Sequence, residues 1–208
     1  GCISLSSNTS GAYYTALGYA TLNQNTTADI NVAVGYQAMM GNTTGRGTAV
    51  GAYALEDQTI GSHNTALGDN ALRQLTTGSS NTAVGHKALF TVATGIDNVA
   101  IGNFALQLAT ANQNVGGGVS ALTATTTGGN NIAVGTRALV ANTTGGSSIA
   151  VGHEALKAAT TGGSKDNQIL TLSFTTIGSN SITPSIIGNG EKVNFSNIVA
   201  HVGNGLSN

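Results

Sequence analysis

Residues 81–97 read NTAVGHKALFTVATGID, and residues 98–106 begin the same phrase again as NVAIGNFAL. Self-similarity at a fixed period decides architecture before any single residue can be interpreted. Aligned on the glycine of the A-V-G step, the phrase recurs at Gly18, Gly35, Gly51, Gly68, Gly85, Gly102, Gly118, Gly135 and Gly152. Successive glycines stand 16 or 17 residues apart, so nine units occupy residues 11–162.

Every unit carries the same chemistry. An apolar residue precedes the glycine, as in Leu17, Val34 and Ile101. A β-branched residue stands two places earlier, as in Thr82, Val99 and Ile132, and the position between is nearly always alanine. That alternation is a strand signal of period two. Four residues after the glycine comes leucine or methionine, from Leu22 and Met39 to Leu156, followed by turn chemistry such as NTTGGS at 142–147. The unit is too short for a helix pair. It suits one rung of a parallel β-solenoid, with two short strands and two turns, stacked into a rod on the order of 40 Å long at about 4.8 Å per rung.

The packing expected from this pattern places the V/I/L positions inside. The alanine column then faces the other way, because neighbouring strand residues point to opposite sides. One Val and one Leu per rung make a thin core for a lone rod. The small alanine face therefore predicts close approach of sister chains, three around an axis. A further column, Asn31, Asn64, Asn81, Asn98, Asn114 and Asn131, lies four residues before the glycine and predicts stacked side-chain amides. The glycines are expected at corners requiring positive φ.

Composition narrows the function classes. Of 208 residues, 7% are charged, against roughly 25% in ordinary domains, so Thr, Ser and Asn must satisfy the surface. Seven Lys+Arg against eight Asp+Glu offer no basic stripe for nucleic acid. No run reaches the ~18 apolar residues of a membrane span. Cys2 stands alone, which excludes an intrachain disulfide and a multi-thiolate metal site. No Ser/His/Asp set, H-E-x-x-H or acidic calcium loop is present, and no cofactor is expected; the chain reads as a non-enzyme.

The unit NTAVGHKAL with its NTTG-type turn resembles the head repeats of trimeric autotransporter adhesins. It is more similar still to the NTAVGYQAL-type repeats of phage tail fibres and large bacterial surface proteins. The resemblance covers residues 11–162 and implies a homotrimer of parallel β-rolls acting as shaft or adhesive head, extracellular or on a virion surface. The unit here is longer than the adhesin hallmark.

Two regions depart from the pattern. In NVGGGVSAL (114–122), Gly116 and Gly117 replace alanine and valine, at a burial loss of about 1–3 kcal/mol. Residues 1–10 read as an N-terminal lead-in. Residues 163–208, with ILTLSFT (169–175), SITPSII (181–187) and KVNFSNIVAHV (192–202), read as a small β-rich cap, or as a segment docking on a neighbouring fibre or virion protein.

What varies between units is the pair of residues after each glycine. There the scarce aromatics and charges collect, making Tyr36, Gln37, Tyr53, His86, Lys87, Phe104, Arg137 and His153 a candidate surface-binding stripe for a host glycan or surface protein. No metal ligand set is expected: His86 and His153 lie four rungs, about 19 Å, apart. The function expected is a structural and adhesive fibre segment. Two alternatives stand beside it: an ice-binding solenoid, suggested by Thr-Thr pairs such as Thr26-Thr27 and Thr143-Thr144, and a self-assembling extracellular filament subunit.

Overall fold

The computed structural model describes residues 1–161 and the backbone of 169–170. One strand forms per unit: β1 (Tyr14–Leu17), β2 (Asn31–Val34), β3 (Gly47–Val50), β4 (Asn64–Leu67), β5 (Thr82–Val84), β6 (Val99–Ile101), β7 (Val115–Gly117), β8 (Ile132–Val134) and β9 (Ile149–Val151). They join in sequence order into one parallel sheet, to which β10 (Ile169–Leu170) adds beside β9. Equivalent residues pair: Thr82 with Val99, Ala83 with Ala100, Val84 with Ile101. The chain is an all-β parallel solenoid, and no described residue is helical. The remainder of the expected cap at 163–208 lies outside the described residues.

The expectation of two strands per rung is corrected. Beyond the glycine the backbone does not extend; it alternates into the left-handed region. Lys87, Leu89 and Asp97 have φ of 53°, 52° and 57°, and their counterparts one unit on, Phe104, Leu106 and Gln113, have 58°, 51° and 59°. A left-handed residue costs roughly 1–2 kcal/mol when it carries a side chain. The repeat offsets that cost by keeping the inter-rung ladder running through the turns, as in Leu89 N–H to Ala105 O at 3.0 Å and Thr91 N–H to Gln107 O at 3.1 Å. The glycine itself sits at φ near 130–140°. A Cβ on Gly85 would lie 2.6 Å from the carbonyl oxygen of Gly102, so rung stacking and conformation both demand glycine.

The expected packing faces are inverted. Ala33, Ala66, Ala83, Ala100, Ala133 and Ala150 are fully buried within the chain, while the V/I/L residues beside them face outward. The reason is the narrowness of the rung. The turn-side column of Leu22, Met39, Leu55, Leu72, Leu89, Leu106, Leu122 and Leu139 fills the interior and reaches the back of the sheet. Space remains for a methyl group there, not for a second branched side chain. In the degenerate unit even that space is taken: a Cβ on Gly116 would meet Leu106 Cγ at 3.1 Å. The loss there falls on Gly117, which faces outward with β7's other apolar position.

The asparagine column forms from Asn64 to Asn98 and again from Asn114 to Asn131, whereas Asn114 reaches Asn98 Oδ1 only through its backbone N–H. Asn98 Nδ2 donates to Asn81 Oδ1 at 3.1 Å, and Asn81 Nδ2 to Asn64 Oδ1 at 3.2 Å. A second internal amide column runs beside it, in which Asn42 Nδ2 donates to Asn25 Oδ1 and Gln58 Nε2 to Asn42 Oδ1. It gives way to Leu75, Val92 and Ala109, then returns as Thr125 and Asn142, all buried. Thr43, Thr76 and Thr126 donate their hydroxyls to the carbonyl of the next rung, so the first threonine of each pair serves rung contact.

Residues 1–10 are part of the repeat rather than a lead-in. Ile3 and Leu5 take φ of 52°, Ala20 and Leu22 one unit later take 53° and 49°, and Leu5 N–H donates to Thr21 O, Thr9 N–H to Thr26 O. GCISLSSNTS is thus the turn half of a rung aligned with GYATLNQNTT.

Candidate functional site

Two faces of the rod carry what function the fold can display. The first is the outer surface of the sheet. Because alanine, or Gly116 in β7, points in at each of β1 to β9, the residues on either side of it point out, forming two parallel columns about 7 Å apart along the sheet. All are Thr, Val, Ile or Leu except Gly117, and none is charged. Leu17, Leu67, Ile101, Val134 and Val151 each leave roughly half their surface or more exposed. A contiguous apolar band on the order of 40 Å long is more than a monomeric surface ordinarily shows, and such bands mark contact with another molecule.

The second face is the stripe after the glycines. Gln37, Tyr53, Lys87, Phe104 and Arg137 all sit at left-handed positions, which throw their side chains outward from a tight backbone. The structure gathers the candidate residues into three clusters. In the first, Tyr36 stacks on Tyr19 with ring centroids 5.3 Å apart and planes 11° from parallel, and Tyr53 meets Tyr36 edge-on at 5.3 Å. Arg73 lies 4.6 Å over the Tyr53 ring, with Nε 2.5 Å from Glu56 Oε2 and Nη1 3.1 Å from Asn70 Oδ1. Ring faces here are used largely on one another, leaving edges and hydroxyls for a ligand.

In the second cluster His86 is held between Asp69, at 3.5 Å from Nε2, and Asn103, at 3.2 Å from Nδ1, with the Phe104 ring edge-on at 5.2 Å. Lys87 extends over Phe90 at 5.8 Å. In the third, Glu154 accepts from Arg137 Nη1 at 2.8 Å and from Lys157 Nζ at 2.5 Å. The hydrogen bond from Lys157 lowers the Glu154 pKa, with further lowering by the charges of Lys157, Arg137 and His153. His153 itself is exposed on the outer column and Gln37 is half-buried between Tyr19 and Tyr53 rungs.

Glu56, Arg73, Asp69 and Asn103 belong to these clusters and were absent from the candidate set. A signal for three of them is in the sequence: Glu56–Arg73, Asp69–His86 and Arg137–Glu154 are opposite charges one 17-residue unit apart, which stacking converts into neighbours. Arg46 is the exception among the described cations. It has neither carboxylate nor ring partner and lines a shallow depression with Ile30, Thr48 and His63, where the 16-residue unit lacks one turn residue.

Among the described residues no group of His, Cys, Asp and Glu is placed to hold a metal ion, and no helix is long and apolar enough to cross a membrane. No family model, curated protein or solved structure matches the chain.

Proposed function

We propose that this chain is a rod-forming segment of an extracellular or virion-borne fibre, in which parallel copies associate through the apolar sheet face and the outer stripe contacts a cell surface. The observation that carries the reading is that uncharged band of Val, Ile, Leu and Thr, repeated in the same register as the rungs themselves. A repeating face is complementary to another repeating face of the same period, so a second copy is the natural occupant. The resemblance of the NTAVGHKAL unit to fibre and adhesin repeats implies three copies.

In that arrangement the scarce charges and aromatics are kept off the self-association face and gathered on the stripe, where many weak contacts to glycan or protein add through multivalency. The test is the mass of the purified chain by light scattering coupled to gel filtration. A trimer mass is expected, with dissociation on replacing Ile101 by Lys. A monodisperse monomer at micromolar concentration overturns the reading.

A further inference from the structure

We infer that the rod holds an internal water molecule in the unit containing β7, bound by Asn114 Nδ2 and Thr125 Oγ1. These two buried side-chain atoms have no protein hydrogen-bond partner. Elsewhere the corresponding amides each have a protein partner. Asn131 Nδ2 donates to Asn114 Oδ1 at 3.1 Å and to Gly145 O at 2.8 Å, and Asn142 Nδ2 donates to the same Gly145 carbonyl at 2.9 Å. Gly45 O likewise takes Asn31 Nδ2 and Asn42 Nδ2 at 3.1 and 3.0 Å.

By the repeat register, Asn114, Thr125 and the carbonyl of Gly128 occupy the places of Asn131, Asn142 and the carbonyl of Gly145. Asn114 and Thr125 therefore converge on one spot beside Gly128 O. Threonine is shorter than the asparagine found at Asn42 and Asn142, so it does not span the gap. The rung beneath carries the smallest side chain of its column. Where Gln58 Oε1 accepts the amide of Asn64 at 3.0 Å, the equivalent position below Asn114 is Ala109, which has no oxygen and far less volume.

A water placed there accepts from Asn114 Nδ2, shares a hydrogen bond with Thr125 Oγ1 and donates to the carbonyl of Gly128. Those three bonds are the usual complement of a buried water. An anion would be opposed by that carbonyl, and an apolar guest would leave both polar atoms unsatisfied at a cost neither can avoid. The hydrated site thus falls in the unit whose strand has lost both its alanine and its outer valine.

A high-resolution crystal structure of the full chain tests this. An ordered water within hydrogen-bonding distance of both Asn114 Nδ2 and Thr125 Oγ1 is the expected result. An absence of density there, or an Asn114 amide bonded directly to Asn98 Oδ1 and Gly128 O, overturns it. An independent arm uses Ala109→Gln, which supplies the oxygen that Gln58 provides to Asn64. The water is expected to leave, and the unfolding midpoint to rise by about 2–4 °C. A lower midpoint with the water still in place counts against the inference.

Discussion

Ala100 and Ile101 are adjacent in β6 and face opposite ways: Ala100 has no exposed surface, whereas Ile101 leaves 52% of its own in solvent. The leucine column behind the sheet leaves room for a methyl group and little else. Ala100→Val is therefore expected to overpack the rung and lower stability by about 1–3 kcal/mol, read as a shift in the denaturant midpoint. Ile101→Lys changes the rung itself little. Under the proposed association its expected effect is on mass, converting the assembled species into monomers in light scattering.

Leu89 lies at φ 52° with its side chain fully buried. Leu89→Ala is expected to cost about 2–5 kcal/mol, the range for a truncated core leucine. Leu89→Ile keeps the volume, and in an ordinary core costs less than about 1.5 kcal/mol. Here the branched Cβ must enter the left-handed region, which β-branched residues disfavour and which in this chain only the exposed Ile3 and Ile30 adopt among the described residues. The isoleucine variant is expected to exceed that limit in equilibrium unfolding, and a near-neutral result would show that the turn conformation is not what selects leucine.

Asn81 bonds both neighbours in its column: its amide donates to Asn64 Oδ1 and Gly95 O, and its oxygen accepts from the backbone and side-chain amides of Asn98. Asn81→Ala strands several buried groups at once, each at about 1–3 kcal/mol. A loss of at least about 2 kcal/mol is expected, with faster amide exchange at Asn98 reporting the same break locally. Asn→Asp at this position would add an unpaired buried charge and is expected to be worse still.

Glu154 has its pKa lowered chiefly by the hydrogen bond from Lys157, with the charges of Lys157 and Arg137 adding to the effect. A carboxylate whose pKa is lower in the folded state contributes stability at pH above its unfolded value, and loses it as pH falls through the folded value. A carbon-detected titration of Glu154 is expected to show an inflection below that of a free glutamate. Lys157→Ala should move the inflection upward, and an unmoved inflection would remove Lys157 as the cause.

How much of this was legible before coordinates is best seen residue by residue. The period, the glycine corners and the Asn64–Asn81–Asn98 amide ladder are local and repeated, so each unit confirms the next, and the parallel solenoid follows from them alone. The half rung at 1–10 is hard to read in the sequence because it holds no A-V-G strand motif and only Gly1, Leu5, Asn8 and Thr9 keep the pattern. Pairs such as Glu56 and Arg73 were within reach, since the period places them one rung apart.

The inside and outside of the sheet were not. Alternation of Ala83 with Thr82 and Val84 says that they face opposite ways, and hydrophobicity argues for the larger residues inside. Only the folded rung decides otherwise, because the left-handed turns at Lys87 and Leu89 bring the leucine column so close to the strand that the interior admits alanine alone. Periodicity is a property of the chain; the width of the space the chain encloses is a property of its closure.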